Sequence, residues 1–146
     1  MASSDILEYG NPILLEKAKV VVAAAEKEAR DNDFAAIIAV VDSAAQLVAL
    51  HRLAHAQFGS IDVAIAKAVA AVKFKRPTKA FEDALSQGGV HLRLLSIDDA
   101  IAVDGGLPLI DGNRLIGAIG VAGMLPAQDA QVASAGAAAI SRVDGH

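Results

Sequence analysis

The chain of 146 residues has no cysteine and no tryptophan, one tyrosine and four phenylalanines. Without cysteine, disulfides, thiolate metal sites and thiol nucleophiles are excluded. So few rings give no platform on which single-stranded bases would stack. Positive charge is not in excess, because 13 Lys and Arg stand against 17 Asp and Glu for a net charge of −4. That balance is the wrong sign for a DNA or RNA footprint. No apolar run approaches the ~18 residues of a membrane span. The first residues, MASSDILEYGNP, have neither the basic region nor the apolar stretch of a signal peptide. The expectation is a soluble, cytoplasmic protein whose partners are neither nucleic acid nor membrane.

What the chain has instead is small apolar side chains. Hydrophobic residues make up 54% of it, and the excess is mostly Ala and Val. A domain of this size that apolar tends to hide surface in copies of itself, so a homo-oligomer is expected.

Residues 1–10 form an arm, and 11–146 a single domain. Asn11-Pro12 predicts a helix start, followed by Leu14, Ala18, Val21, Val22, Ala25 and Ala29 at helical spacing. Ala35 to Val41 fits a buried strand, Asp42 to Ala45 a turn, and Leu47 to His51 its antiparallel partner. Ala replaces the glycine that such a turn favours, so a different turn type is expected. Ser60 is expected to cap a helix with the inner stripe Ile61, Ile65, Ala68 and Val72, ended by Pro77. Thr78 is expected to cap a second helix, Lys79 to Leu85, which Gln87-Gly88-Gly89 stops. His91 to Ala102 is an irregular segment with a short helix or strand, and one extra strand is weighed near Ile101 to Val103. A hairpin around Asp111-Gly112-Asn113 follows, then a helix from Pro126. The order α-β-β-α-α-β-β-α predicts an α+β fold with an antiparallel sheet carrying packed helices.

The second strand of that hairpin is short of side chains. Ala118, Gly120 and Ala122 share one face, and Gly117, Ile119, Val121 and Gly123 the other. Glycine weakens a strand, so something is expected to approach this backbone closely: a helix, a partner subunit or a flat ligand.

The same stretch carries a family resemblance. Asp104-Gly105-Gly106, Pro108, Asp111-Gly112, Gly117 to Gly123 and Gln128-Asp129 resemble the pattern of the GlcG/HbpS family, which includes the C-terminal domain of PduO proteins. Upstream, Ile38 to Asp42, His51-Arg52, Gly59-Ser60, Lys67-Ala68 and Phe74 to Thr78 fit as well, so the likeness runs from about Ile13 to Ile140. It implies a central antiparallel sheet of about five strands in a PAS- or profilin-like layout. It also implies tetramers or octamers, and a haem or tetrapyrrole ligand in a role accessory to a catabolic or redox pathway. Some members place a haem ligand on the first helix, where this chain has no histidine.

Three clusters are candidates for chemistry. Arg52 closes a strand and suits bidentate capture of a carboxylate, such as a substrate acid or a haem propionate, unless it pairs with an acid of the chain. Beside it, His51 and His55 are candidate axial iron ligands or general acids and bases, with His55 the candidate metal ligand and His91 a further one; the alternative for His51 is a plain surface residue of its strand. Lys67, on an Ala-rich helix, is either desolvated and able to hold an anion or move a proton, or snorkelling. Gly105 and Gly106 expose backbone N–H groups to an anion or ligand, or form a tight turn. For haem, the slot is expected on the Gly/Ala face around Gly120. The competing reading is a lyase, hydratase or isomerase acting on an organic acid, with Arg52 on the carboxylate and His55 and Lys67 as acid and base. A third is a noncatalytic oligomeric accessory protein.

Overall fold

The computed structural model describes residues 6–144, with side chains described up to Ile140. Strands β1 (Glu8–Tyr9), β2 (Ile37–Asp42), β3 (Leu47–Arg52), β4 (Gly106–Asp111) and β5 (Arg114–Ala122) form one sheet. Helices α1 (Leu15–Asp31), α2 (Ser60–Phe74), α3 (Thr78–Ser86) and α4 (Pro126–Asp144) pack on it, and a 3-10 helix spans Gly89–Ser96. β5 is central, with β2 and β4 antiparallel to it on either side, and β3 extends the sheet beyond β2. The α+β class and the element order agree with the sequence reading. The sheet is mixed rather than wholly antiparallel, because β1 runs parallel to β5 at Glu8↔Arg114 and Tyr9↔Leu115.

That small strand also moves the first helix. Gly10 N–H donates to Leu115 and Ile13 N–H to Ile116, which keeps the chain extended past Pro12. The helix therefore starts at Leu15. Thr78 is buried at the head of α3, but its hydroxyl accepts the Gly106 N–H at 2.9 Å and makes no cap. Ser60 likewise lies inside α2 and forms no cap bond. The β2–β3 turn retains the shape that glycine favours: Ala45 sits at φ +64° and the Asp42 carboxylate accepts the N–H groups of Ala44 and Gln46. Those two bonds offset a left-handed alanine, which costs about 1–2 kcal/mol. No strand forms at Ile101 to Val103.

The core has two layers. α1 and α4 cover the face carrying Ile38, Val40, Ile119 and Val121. α2 covers the other, where Ile37, Ala39, Val41, Ala118 and Ala122 meet Ala64, Ala68 and Ala71. β2 is thus apolar on both faces, which explains its unbroken run Ile37 to Val41.

The missing side chains of the hairpin are explained on the α2 side. Gly106 and Gly120 are directly paired across β4 and β5. A β-carbon at Gly120 would overlap the Ala64 carbonyl oxygen and lie 2.6 Å from the Ala68 nitrogen. One at Gly106 would overlap the Lys67 carbonyl oxygen and come within 2.8 Å of the Thr78 methyl group. The two glycines form a saddle that holds the α2 backbone, so Gly120 offers no slot for haem.

Candidate functional site

The most developed open site lies between α1 and β3. Helical spacing sets Lys19, Val22, Ala23, Glu26, Lys27 and Arg30 along one side of α1, facing Ala49 and His51, alternate residues of β3. Together with Asp31 they enclose a groove of about 440 Å³, inside the usual range for small-molecule sites. Its floor is apolar (Val22, Ala23, Ala49) and its rim is charged.

His51 and Glu26 give the groove its chemistry. His51 Nδ1 lies 2.7 Å from Glu26 Oε1. The hydrogen bond from His51, helped by Arg30 and opposed by burial, holds the Glu26 carboxyl below its ordinary pKa. An ionised carboxylate only accepts, so Nδ1 carries the hydrogen and Nε2 is left with no partner among the described residues. Arg30 donates to the other oxygen of Glu26, from Nε at 2.9 Å and from Nη2 at 2.8 Å. The three side chains form a chain in which the carboxylate fixes the imidazole and the guanidinium fixes the carboxylate.

The other strand-end candidates lie elsewhere. Arg52 points to the opposite face of β3, pairs in register with Ile37, and stacks on the exposed ring of Phe58 at 5.3 Å. It makes no ion pair among the described residues, which leaves its fork available to an anion. His55, in left-handed backbone at φ +71°, lines a separate shallow depression with Asp33, Phe34, Ala35, Leu53 and Ala54. Arg30 borders both this depression and the groove. His91 lies on the 3-10 helix, beyond α3.

Lys67 is neither exposed nor snorkelling. At 1% exposure it is the largest fully buried side chain, and its ammonium donates to Val121 O at 2.9 Å and Asp129 Oδ2 at 3.1 Å. The other Asp129 oxygen accepts the Met124 N–H at 3.0 Å. Burial pushes the Asp129 carboxyl above its ordinary pKa, against the pull of Lys67. Gly105, at φ +125°, supplies the space: a β-carbon there would lie 2.8 Å from Lys67 Nζ and 2.7 Å from Val121 O. Its N–H is taken by the Asp104 carboxylate and its carbonyl by the Val121 N–H, while the Gly106 N–H goes to Thr78. These groups are satisfied internally and tie α2, β5 and α4 together. Lys67 is therefore closed off from the surface where Arg52 and His55 lie, and it is not available as the base of an organic-acid site.

Glu26 and Asp129 are the residues that sequence reasoning passed over. Asp129 enters the sequence reading within the Gln128-Asp129 pair of the family pattern, with no link to Lys67. Glu26 carries no signal of its own, because its partner is 25 positions away with no periodicity linking them.

Comparison with known proteins places this architecture. A family model described as haem degrading protein, HbpS-like, matches residues 13–138. Protein GlcG of Escherichia coli K12 is 32% identical over 106 residues, 73% of this chain and 78% of that protein. The crystal structure of Klebsiella pneumoniae protein ORFY superposes with a TM-score of 0.85 at 29% identity, covering 92% of this chain and 94% of that one. A PduOC:haem complex shares the fold, with a TM-score of 0.80 at 24% identity over 88% of this chain and 95% of that one.

Proposed function

The chain belongs to the HbpS-like family, and on that premise we propose that it binds haem or a related tetrapyrrole in the α1–β3 groove. We place it as a cytoplasmic homo-oligomer, a tetramer or octamer, accessory to a catabolic or redox pathway. The observation that carries the reading is the His51–Glu26 pair. A histidine whose Nδ1 is held by a carboxylate is oriented for metal ligation through Nε2, and His51 is a half-exposed side chain lining the groove.

The residues present fit the group. His51 Nε2 would bind the iron, Val22, Ala23 and Ala49 would provide an apolar bed, and Lys19, Lys27 and the Arg30 donors that Glu26 leaves unused would meet the propionates. Lys27 is engaged in an exposed pair along α1, with Asp31 at 2.7 Å, while Arg30 keeps Glu26 at 2.8 Å. Solvent screens an exposed pair of this kind, so exchanging the partner of Lys27 costs little. The groove is open to solvent, which leaves room for a flat ligand to enter. Bound haem would supply a redox-active iron; the chain supplies orientation, charge and exclusion of water. The carboxylate-binding role of Arg52 remains a proposal for the opposite face, where its guanidinium stacks on Phe58 and makes no ion pair among the described residues.

Titration with haemin tests the reading. A Soret band that shifts and saturates at one haem per chain is expected, and spectra that only sum free haemin and protein would overturn it. The groove should also fail in acid. Glu26 has a lowered folded pKa, so its contribution is present above the ordinary glutamate value and is lost as pH falls through the lowered one. Haemin affinity is expected to drop over that window together with the orientation of His51. Affinity unchanged through the acid limb would show that Glu26 does not position the ligand.

A further inference from the structure

We infer that the 3-10 helix Gly89–Ser96 is a docking face for a second copy of this chain, related to the first by a two-fold axis; this rests on the homo-oligomer proposed above and names its surface. The segment is eight residues long, whereas 3-10 runs beyond 3–4 residues are uncommon without support. It leans on α3, yet none of its residues is buried. Three residues per turn set His91 and Leu94 inward, half-buried, and line up Leu92 and Leu95 outward on one row. Leu95 is 73% exposed, and Val90 and Ile97 flank the row in the open. A dent of about 120 Å³ opens beside it, lined by Phe81, Leu85, Leu94, Leu95, Ala100 and Ala102. That is room for one aliphatic side chain and well below the size of a cofactor site.

Charge selects the occupant. Arg93 and Asp98 bracket Leu95, carry opposite signs, and make no ion pair among the described residues, although neighbouring Asp99 is held by Lys73 at 2.6 Å. A two-fold axis passing near Leu95 and Ser96 sets Arg93 beside Asp98 of the partner subunit and, by symmetry, the reverse. An apolar row flanked by charges that complement themselves is the pattern of an isologous interface, in which residue i meets j and j meets i. A foreign partner would have no reason to find both signs at mirrored positions. The face lies beyond α3 and so is remote from the His51 groove, leaving haemin binding as an independent check on folding.

Sedimentation equilibrium of the full chain tests the assignment. Wild type is expected to associate, and Leu95→Glu and Arg93→Glu to weaken one association step by at least about tenfold. The double variant Arg93→Glu with Asp98→Arg, which restores both pairs with signs exchanged, is expected to recover most of that loss. All variants should keep the wild-type melting profile and haemin response, since the altered side chains are exposed. A wild-type chain that is monomeric overturns both the oligomer and this face. An associating wild type whose assembly is indifferent to Leu95→Glu, or a charge exchange that fails to recover it, overturns this face alone.

Discussion

Lys67→Met is expected to lower the stability of the fold by about 3–5 kcal/mol at neutral pH, the cost of breaking a buried ion pair from one side. Among the described residues the ammonium is the one cation that meets the Asp129 carboxylate, and it also satisfies Val121 O. Removing it leaves Asp129 with the Met124 N–H alone. Methionine keeps the length of the stem, so the loss reports the charge and the two hydrogen bonds rather than a cavity. The pH dependence has a definite sign. Burial already raises the folded pKa of Asp129, and losing Lys67 raises it further. A carboxyl with a raised folded pKa is most favourable below its unfolded value and loses stability as pH rises through the folded one. The deficit of Lys67→Met should therefore be largest near neutrality and shrink in acid. Urea unfolding at neutral and mildly acidic pH measures both. Adding Asp129→Leu should recover part of the loss, because an apolar pair removes the stranded charge. A loss under about 1 kcal/mol at neutral pH would contradict a role for the pair in joining α2 to α4.

Gly120→Val should be comparably severe, at about 3 kcal/mol or more, at the top of the range for overpacked cores. Valine favours a strand, so intrinsic preference opposes any loss. The obstacle is the α2 backbone at Ala64 and Ala68, which no rotamer change can clear. Relief requires lifting α2 from the sheet, and that would also disturb Lys67 one turn along. Gly59→Ala is the control, since a β-carbon there meets nothing within 4 Å and its φ is ordinary. A stable Gly120→Val protein with unchanged thermal unfolding would mean that α2 does not sit on the glycine saddle.

Patterns with local causes were legible in the chain. The alternation in β5, the glycine turn at Gly112 and the α1 stripe each follow from neighbours within a few residues, and the architecture followed from their order. The Gly-rich strand correctly announced a close approach, but periodicity cannot say what approaches; α2 lies far enough along the chain that only the fold brings it there. Lys67 shows the same limit. Its burial depends on the space left by Gly105 and on Asp129, 62 positions away. The strand-end cluster was separated by strand alternation, because adjacent His51 and Arg52 must point to opposite faces. His51 then acquired its meaning from Glu26, on an element whose packing against β3 no local signal encodes.

The account turns on which imidazole meets the iron, and haemin titration of three single variants, His51→Ala, His55→Ala and His91→Ala, asks this directly. His51→Ala is expected to abolish the saturable Soret shift while leaving thermal unfolding near wild type, because the side chain is more than half exposed and, among the described residues, pairs with Glu26 alone. His55→Ala and His91→Ala should titrate as wild type does. A His51→Ala protein that binds haemin with the wild-type spectrum and stoichiometry would contradict the assignment of the α1–β3 groove.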